Sequence, residues 1–348
     1  MNPGGFQSSN MIEFANDRIG SDQRPYIVAE AGVNFRDDIE LGKAFIAEAA
    51  AAGADAVKFQ THVQSAEMVE SEMRALDMGG LYDRMADYEL SMEEHRELKA
   101  HCEDHDVTFL STPFSPAGVE RLEALGVDVY KVGSGELTNH HLLRIIADTG
   151  KPMIVSTGMH DMDTVEAAAE LLNEHASAFM FLYCVSEYPT EPSDFNLGLI
   201  QRMESEFGVL VGFSDHSTGV EAAAIAMARG AALVEKHFTI DRRLPAGDQE
   251  VSIEPEELES LVNYATLCHE TKGDRKEVRD DEAAIAEWAR HSVVTASSIS
   301  AGETITADQL TTKRPGTGIP ATEFDTVVGR VAARDIDPNS TLQDSDLE

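Results

Sequence analysis

Two histidines, His216 and His237, end two short β-type runs of this 348-residue chain. Neutral imidazoles bind Mn, Fe, Co or Zn, and two of them with open water positions form a Lewis-acid site able to polarise a carbonyl. Their separation in sequence is not a metal motif, so hydrogen-bonded structural histidines or a proton shuttle are the alternatives. Glu30 and Asp248 stand where carboxylates could orient the imidazoles or meet a substrate. Lys58 and Lys131, with the hydroxyls of Thr112, Ser134, Ser156 and Ser214 and the glycines Gly133, Gly135 and Gly158, describe an anion pocket. Lysine supplies charge, hydroxyls donate, and glycine lets backbone N–H groups approach an oxyanion. A phosphorylated or carboxylated small molecule would fit; an internal Lys58–Glu30 salt bridge is the competing reading. Glu136 closes a Gly-Ser-Gly-Glu turn and could act as a general base, orient a sugar hydroxyl or complement a helix dipole.

All these residues end runs of one kind. From Pro25 to Thr239, β-rich runs alternate with Ala-, Leu- and Glu-rich helical stretches, the pattern of repeated βα units. The eight runs are 26–34, 56–61, 108–114, 129–136, 152–158, 178–185, 209–216 and 233–239. Helical stretches include 39–51, 92–105, 119–125, 164–175 and 220–228. Eight β runs in about 220 residues predict an α/β fold, a (β/α)8 TIM barrel, over an open doubly wound sheet. Nearly every run starts apolar and ends in polar groups: Gln60 after Lys58, Thr157 after Ser156, Tyr188 after Ser186, Asp215 before His216, Glu235 and Lys236 before His237, and Asn34 after Glu30. A barrel gathers such ends on one face.

A helix is expected over 256–270, then a charged linker over 271–290, then a β-rich module over 291–348 with pieces at 292–296, 304–305 and 327–332. Residues 1–23, rich in Gly, Ser and Asn at their start, read as a flexible leader without the basic start and apolar core of a secretory signal. The barrel domain is then 24–270.

The chain carries 27 Lys and Arg against 63 Asp and Glu, a formal net charge of −36, which makes nucleic acids and anionic membranes poor partners. Nine of those 27 cations are lysine, and an acidic, lysine-poor surface suits concentrated salt, where self-repulsion is screened. If the protein is halophilic, its unfolding midpoint rises between dilute buffer and molar salt; an unchanged or lower midpoint refutes that reading. Cys102, Cys184 and Cys268 are too few and too dispersed for a disulfide framework, which fits a reducing cytoplasm. No apolar run approaches the ~18 residues needed to span a bilayer.

The strings AEAGVN (29–34), DAVKFQTH (55–62), FLSTPF (109–114), YKVGSGE (130–136), STGM (156–159), Tyr188-Pro189-Thr190, GFSDHS (212–217) and EKHFT (235–239) resemble the N-acetylneuraminate (sialic acid) synthase family. The tail, with Ile299-Ser300-Ala301-Gly302-Glu303 and Lys313-Arg314-Pro315-Gly316, resembles that family's C-terminal antifreeze-like (SAF) domain. The resemblance runs from about Arg24 to Glu348. It implies condensation of phosphoenolpyruvate with an N-acylated mannosamine-type sugar, releasing phosphate. It assigns His216 and His237 to a divalent metal, manganese foremost with magnesium or cobalt as alternatives, and Lys58, Lys131, Thr112, Ser134, Ser156 and Ser214 to phosphoenolpyruvate. Glu30, Gln60, Glu136, Tyr188 and Asp248 match substrate and catalytic groups, and Ser186 lies among residues near the sugar. Arg314 matches an arginine that reaches a partner subunit's barrel in a domain-swapped homodimer, and Trp288 falls where the family carries an aromatic near the same pocket.

Two segments depart from the sialic acid enzymes, Val185-Ser186 and the Pro-Ala-Gly-Asp-Gln loop ending at Gln249. Both lie near the sugar, so a 2,4-diacetamido-trideoxyhexose giving a legionaminate-type product stands beside N-acetylmannosamine. A phosphorylated acceptor, or a non-catalytic carbohydrate-binding protein, are the competing functions.

Overall fold

The computed structural model describes residues 11–14, 17–36, 38–245 and 247–348. The chain divides into two compact units, Met1–Lys272 and Gly273–Glu348. In the first unit, β1 (Met11–Phe14) and β2 (Asp17–Gly20) form an antiparallel hairpin, and eight parallel strands follow: β3 (Tyr26–Gly32), β4 (Ala56–Thr61), β5 (Thr108–Pro113), β6 (Tyr130–Val132), β7 (Met153–Ser156), β8 (Phe179–Cys184), β9 (Val211–Asp215) and β10 (Leu233–His237). The hydrogen-bonded order is β5-β4-β3-β10-β9-β8-β7-β6. β5 and β6, at the ends of that order, also pack side by side, so the sheet curls into a barrel. The fold is the (β/α)8 TIM barrel that the alternating runs imply.

Side chains alternate along each strand, and in a parallel barrel both faces are covered. One set, including Ile27, Val57, Phe59, Tyr130, Val155, Phe213 and Val234, packs outward against helices that include Ile39–Ala51, Met92–Asp104 and Met162–His175. The other set fills the interior: Tyr26, Val28, Leu110, Val129, Ile154, Leu182, Leu210 and Leu233 make an apolar layer at the strand beginnings. Further along most strands this inward series turns polar, as at Glu30, Lys58, Thr112, Lys131, Ser156, Ser214 and Glu235. The helices begin on local signals: Asp38 accepts from Leu41 N–H at 3.1 Å, Ser91 forms a capping box with Glu94, and Ser115 precedes a first-turn Pro116.

The leader expectation needs correction where it can be tested. Residues 1–10 lie outside the described residues, but Ile12, Phe14 and Ile19 of the hairpin are buried in the same apolar layer, beneath the strand beginnings. The two-residue spacing of Ile12 and Phe14 puts both on one face of β1. Tyr26 Oη donates to Asp17 Oδ2 at 2.6 Å, tying the hairpin to β3. The linker expectation is corrected as well. Residues Asp280–Ala289 are α-helical, since Asp280, Asp281 and Glu282 in the first turn complement the helix dipole and four alanines favour the helix.

In the second unit β11 (Ser292–Thr295) pairs antiparallel with β12 (Leu310–Lys313) over a core that includes Val293, Ile299, Ile305, Ile336 and Leu342. The β piece expected over 327–332 is mostly not strand: Phe324–Val327 is helical, and Val331 and Ala332 make isolated bridges.

Candidate active site

Inward polar residues of seven of the eight strands meet in one cleft of about 470 Å3 above the apolar layer, joined by residues of the loops that follow them. Register sets their heights: Glu30 pairs with Lys58 and with His237, Gln60 with Thr112, and Glu235 with Ser214. Glu30, Lys58, Gln60, Thr112, Lys131, Ser134, Glu136, Ser156, Ser186, Tyr188, Ser214, His216, His237 and Asp248 all line it.

At its floor, two lysines share buried carboxylates. Lys58 Nζ lies 2.8 Å from Glu30 Oε2 and 3.7 Å from Glu235 Oε1, and Lys131 Nζ lies 3.6 Å from the same Glu235 oxygen. Lys58 also reaches Thr112 Oγ1 at 3.4 Å, Lys131 donates to Ser156 Oγ at 2.8 Å, and Ser214 donates to Glu235 at 3.2 Å. The Lys58–Glu30 salt bridge therefore exists, and it stands inside the anion pocket. Glu235 was absent from the candidate set, although it shares strand parity with His237, which turns both inward. Its neighbour Lys236 turns outward and pairs with Asp215 at 3.1 Å, with both side chains fully buried.

Burial pulls Lys131 down, whereas at Lys58 burial is outweighed by Glu235 and Glu30, which raise it. Burial raises Glu30 to about 7 against the pull of Lys58. At Glu235 burial is likewise opposed, and the two lysines hold it as a carboxylate below its usual range. The floor thus balances two ammonium groups against one firm carboxylate and one that titrates near neutrality, leaving positive charge to meet an anion.

Glu136 Oε2 is buried without a hydrogen-bond partner, and burial lifts its carboxyl to about 7. Its folded value lies above the unfolded one, so the stability it contributes is complete at pH 4.5 and below and is lost as pH rises through 7. Glu136→Gln removes that loss. Its stability relative to wild type should rise by about 2 to 3 kcal/mol between pH 5 and pH 8 in denaturant titrations, and a difference flat across that range contradicts the assignment.

Gly158 is needed for close approach. A Cβ there would meet Ser186 Oγ at 2.3 Å and Cys184 Sγ and Ser134 Oγ at 2.9 Å each, and its N–H is already given to Ser134 Oγ at 3.1 Å. Gly135 has open space around it, so no such constraint applies there.

On the opposite wall, His216 Nδ1 donates to the Val185 carbonyl at 2.6 Å, which leaves Nε2 unprotonated to accept from Tyr188 Oη at 2.9 Å. The His216 and His237 rings are 5.6 Å apart, and the Tyr188 ring stacks 4.1 Å from His216. Burial holds both imidazoles neutral, with His237 well below its ordinary range. His237 Nδ1 has no hydrogen-bond partner and sits 3.8 Å from Asp248 Oδ2. Among the described residues no three His, Cys, Asp or Glu close around an ion. The donor set is therefore two neutral imidazoles, His237 with an unpartnered Nδ1 and His216 with an Nε2 lone pair now held by Tyr188 Oη, which suits a borderline divalent cation that takes the place of that hydrogen bond and keeps water or substrate oxygens.

Comparison with known proteins gives this constellation its setting. A family model described as "NeuB family" matches residues 45–277, and a "SAF domain" model matches 290–348. The chain belongs to the NeuB family. It is an enzyme of that class. This NeuB-family chain is 34% identical over 338 residues to the N,N'-diacetyllegionaminic acid synthase of Legionella pneumophila, covering 93% of the chain and 94% of that protein. It is 31% identical over 342 residues to the N-acetylneuraminate-9-phosphate synthase of Mus musculus, covering 95% and 94%. A solved N-acetylneuraminic acid synthetase from Leptospira borgpetersenii, in complex with citrate, superposes with a TM-score of 0.72 at 33% identity, covering 80% of this chain and 96% of that one.

Two candidates of this NeuB-family chain belong to the second unit. Trp288 and Arg314 face each other there, with the guanidinium 5.3 Å from the indole and Arg314 Nε donating to the Ala289 carbonyl at 2.9 Å. Phe114 and Met159 line the barrel cleft and were not singled out as site residues. Both stand in strings whose hydroxyls and glycines drew the attention.

Proposed function

We propose that the cleft condenses phosphoenolpyruvate with the open-chain form of an N-acylated mannosamine-type sugar, giving a nine-carbon sugar acid and phosphate. The observation that carries this reading is the pair of buried lysines on Glu235, set across one small cleft from two neutral imidazoles. Lys58, Lys131 and the hydroxyls of Thr112, Ser134, Ser156 and Ser214 take the phosphate and carboxylate, because each is a donor facing the same space. C3 of phosphoenolpyruvate adds to the aldehyde carbon, water adds at C2, and C–O cleavage expels phosphate. Glu30 and Glu136, both near 7, hold and release protons at their carboxyl oxygens over the working range, and Gln60 Nε2 donates to Glu30 at 3.3 Å to orient it. Asp248 and Tyr188 stand on the acceptor side with the imidazoles. His216 and His237 would hold a divalent ion, manganese foremost and magnesium or cobalt as alternatives, whose chemistry is Lewis-acid polarisation of the acceptor carbonyl. No Schiff base is needed; positioning and electrostatics carry the reaction.

A phosphorylated acceptor would need further cations on the sugar side. Arg242 is engaged with Glu254 and Glu257, and Arg243 with Asp241, so neither is free for that task. Ser186, a short side chain beside Gly158 in the cleft, leaves a 2,4-diacetamido-trideoxyhexose as the second candidate acceptor. The deciding experiment is phosphate release from phosphoenolpyruvate with N-acetylmannosamine, its 6-phosphate and 2,4-diacetamido-2,4,6-trideoxymannose. Release with either unphosphorylated sugar supports the reading, and release with none overturns it. Three free cysteines and the use of phosphoenolpyruvate favour the cytoplasm.

The reading extends to a homodimer in which Arg314 of one subunit completes the other's cleft. Arg314→Ala and His237→Ala subunits, each nearly inactive, should regain activity toward half of wild type per mixed dimer after exchange. Confirmed exchange without recovery refutes the in-trans role.

A further inference from the structure

Asn34 ends the first barrel strand's motif and takes no part in the chemistry above, yet it is 1% exposed and hydrogen-bonded at both ends of its carboxamide. Its Nδ2 donates to the Phe238 carbonyl at 3.0 Å and to Ser252 Oγ at 2.9 Å, and its Oδ1 accepts from Asp248 N–H at 3.4 Å. Ser252 Oγ in turn donates to the Asp248 carbonyl at 2.7 Å. Both backbone polar groups of Asp248 are thus taken by these two side chains, in a closed ring of hydrogen bonds.

The segment so tied leaves β10 at His237 and returns beside it. Ile253 N–H donates to the His237 carbonyl at 2.8 Å, and Thr239 N–H donates to the Ile253 carbonyl at 3.0 Å, which pins the base of the loop. Its own tip offers little hold, since both polar atoms of the Gln249 carboxamide are buried without a partner. Only a carboxamide supplies two donors and an acceptor at this spacing; aspartate has no donor and leucine has neither.

We propose that Asn34, with Ser252, is the positioning clamp of Asp248, holding its carboxylate at the cleft beside His237. The clamp joins the loop after the last strand to the end of the first, so the seam between β10 and β3 sets the place of Asp248. Asn34 acts through Asp248 and touches no reactant. For its activity readout the proposal rests on the condensation assigned to the cleft.

Asn34→Ala and Ser252→Ala are compared in the wild-type and Asp248→Ala backgrounds. A misplacement of about 1 Å costs as much as 10²-fold in rate, so each single change should lower kcat/KM for the acceptor sugar by 10-fold or more. In the Asp248→Ala background the further loss should be under 2-fold, because the group they place is gone. Amide hydrogen exchange at 248–252, read on the unliganded protein, should accelerate in both single variants. Equal losses in both backgrounds indicate general destabilisation and overturn the clamp, as does unchanged exchange, or faster exchange with unchanged activity. If Asn34→Ala fails to fold, the milder Ser252→Ala decides alone. Should the wild type condense none of the sugars, that failure falls on the proposed reaction, and the exchange measurement still decides whether the clamp exists.

Discussion

His237→Ala should lose at least ~10³-fold in phosphate release while its unfolding midpoint stays within a few degrees of wild type. The imidazole stands at the polar end of β10, two residues above Glu235 and four above Leu233, so removing it opens no hole in the apolar layer. What it removes is one of two neutral nitrogen donors in a site that has no third protein donor among the described residues. On the proposed reading, the two imidazoles would hold a divalent ion, and losing one would weaken that hold and with it the polarisation of the acceptor carbonyl the ion would supply. His216→Ala should match it in turnover and also give up the bonds to Val185 and Tyr188 that fix that wall. Chelation should inactivate the wild type, and divalent ion should restore it. A wild type indifferent to chelator, or a His237→Ala variant with ordinary turnover, would remove the metal from this reading.

Lys131→Met should lower kcat/KM for phosphoenolpyruvate by about 10²- to 10³-fold and change the acceptor's KM by less than about 3-fold. Two unit charges 4 Å apart at an effective dielectric of 20 interact by about 4 kcal/mol, equivalent to roughly 10³-fold in binding. Lys131 is 3% exposed, so solvent does little to screen that term. Its removal leaves Lys58 alone to balance Glu235, Glu30 and an incoming anion. Methionine keeps the volume and the apolar stem, so the loss reads charge and not packing. An unchanged kcat/KM for phosphoenolpyruvate, or a loss confined to the sugar, would put the anion elsewhere.

The barrel was legible because its strands announce themselves twice, by apolar beginnings and polar ends, and the helix over 39–51 by a clean amphipathic repeat. Helices such as His140–Ala147 and Gly198–Phe207 are eight and ten residues long, too short for a repeat to stand out. Glu235 was hidden by the company it keeps. Between Val234 and Lys236 it reads as one more strand-end charge, and only parity with His237 reveals that it faces the lysines while Lys236 turns away to Asp215. The hairpin was lost in the average composition of the first residues, where Ile12, Phe14 and Ile19 carry the signal of burial. Trp288 and Arg314 were noticed by resemblance, and within their own unit they are a stacked pair on a helix and a turn.

The hairpin under the barrel has a consequence for traffic. With Ile12, Phe14 and Ile19 seated beneath the apolar layer, and that layer filling the strand beginnings, the described residues close that end of the barrel and the cleft opens at the strand ends. On the proposed condensation, both reactants, the attacking water and both products would use that opening. The lysines and the imidazoles share that opening, with Lys58, Glu30 and His237 in one register row. On the proposed condensation, phosphate released beside Lys58 and Lys131 would compete with the next phosphoenolpyruvate for the same two ammonium groups.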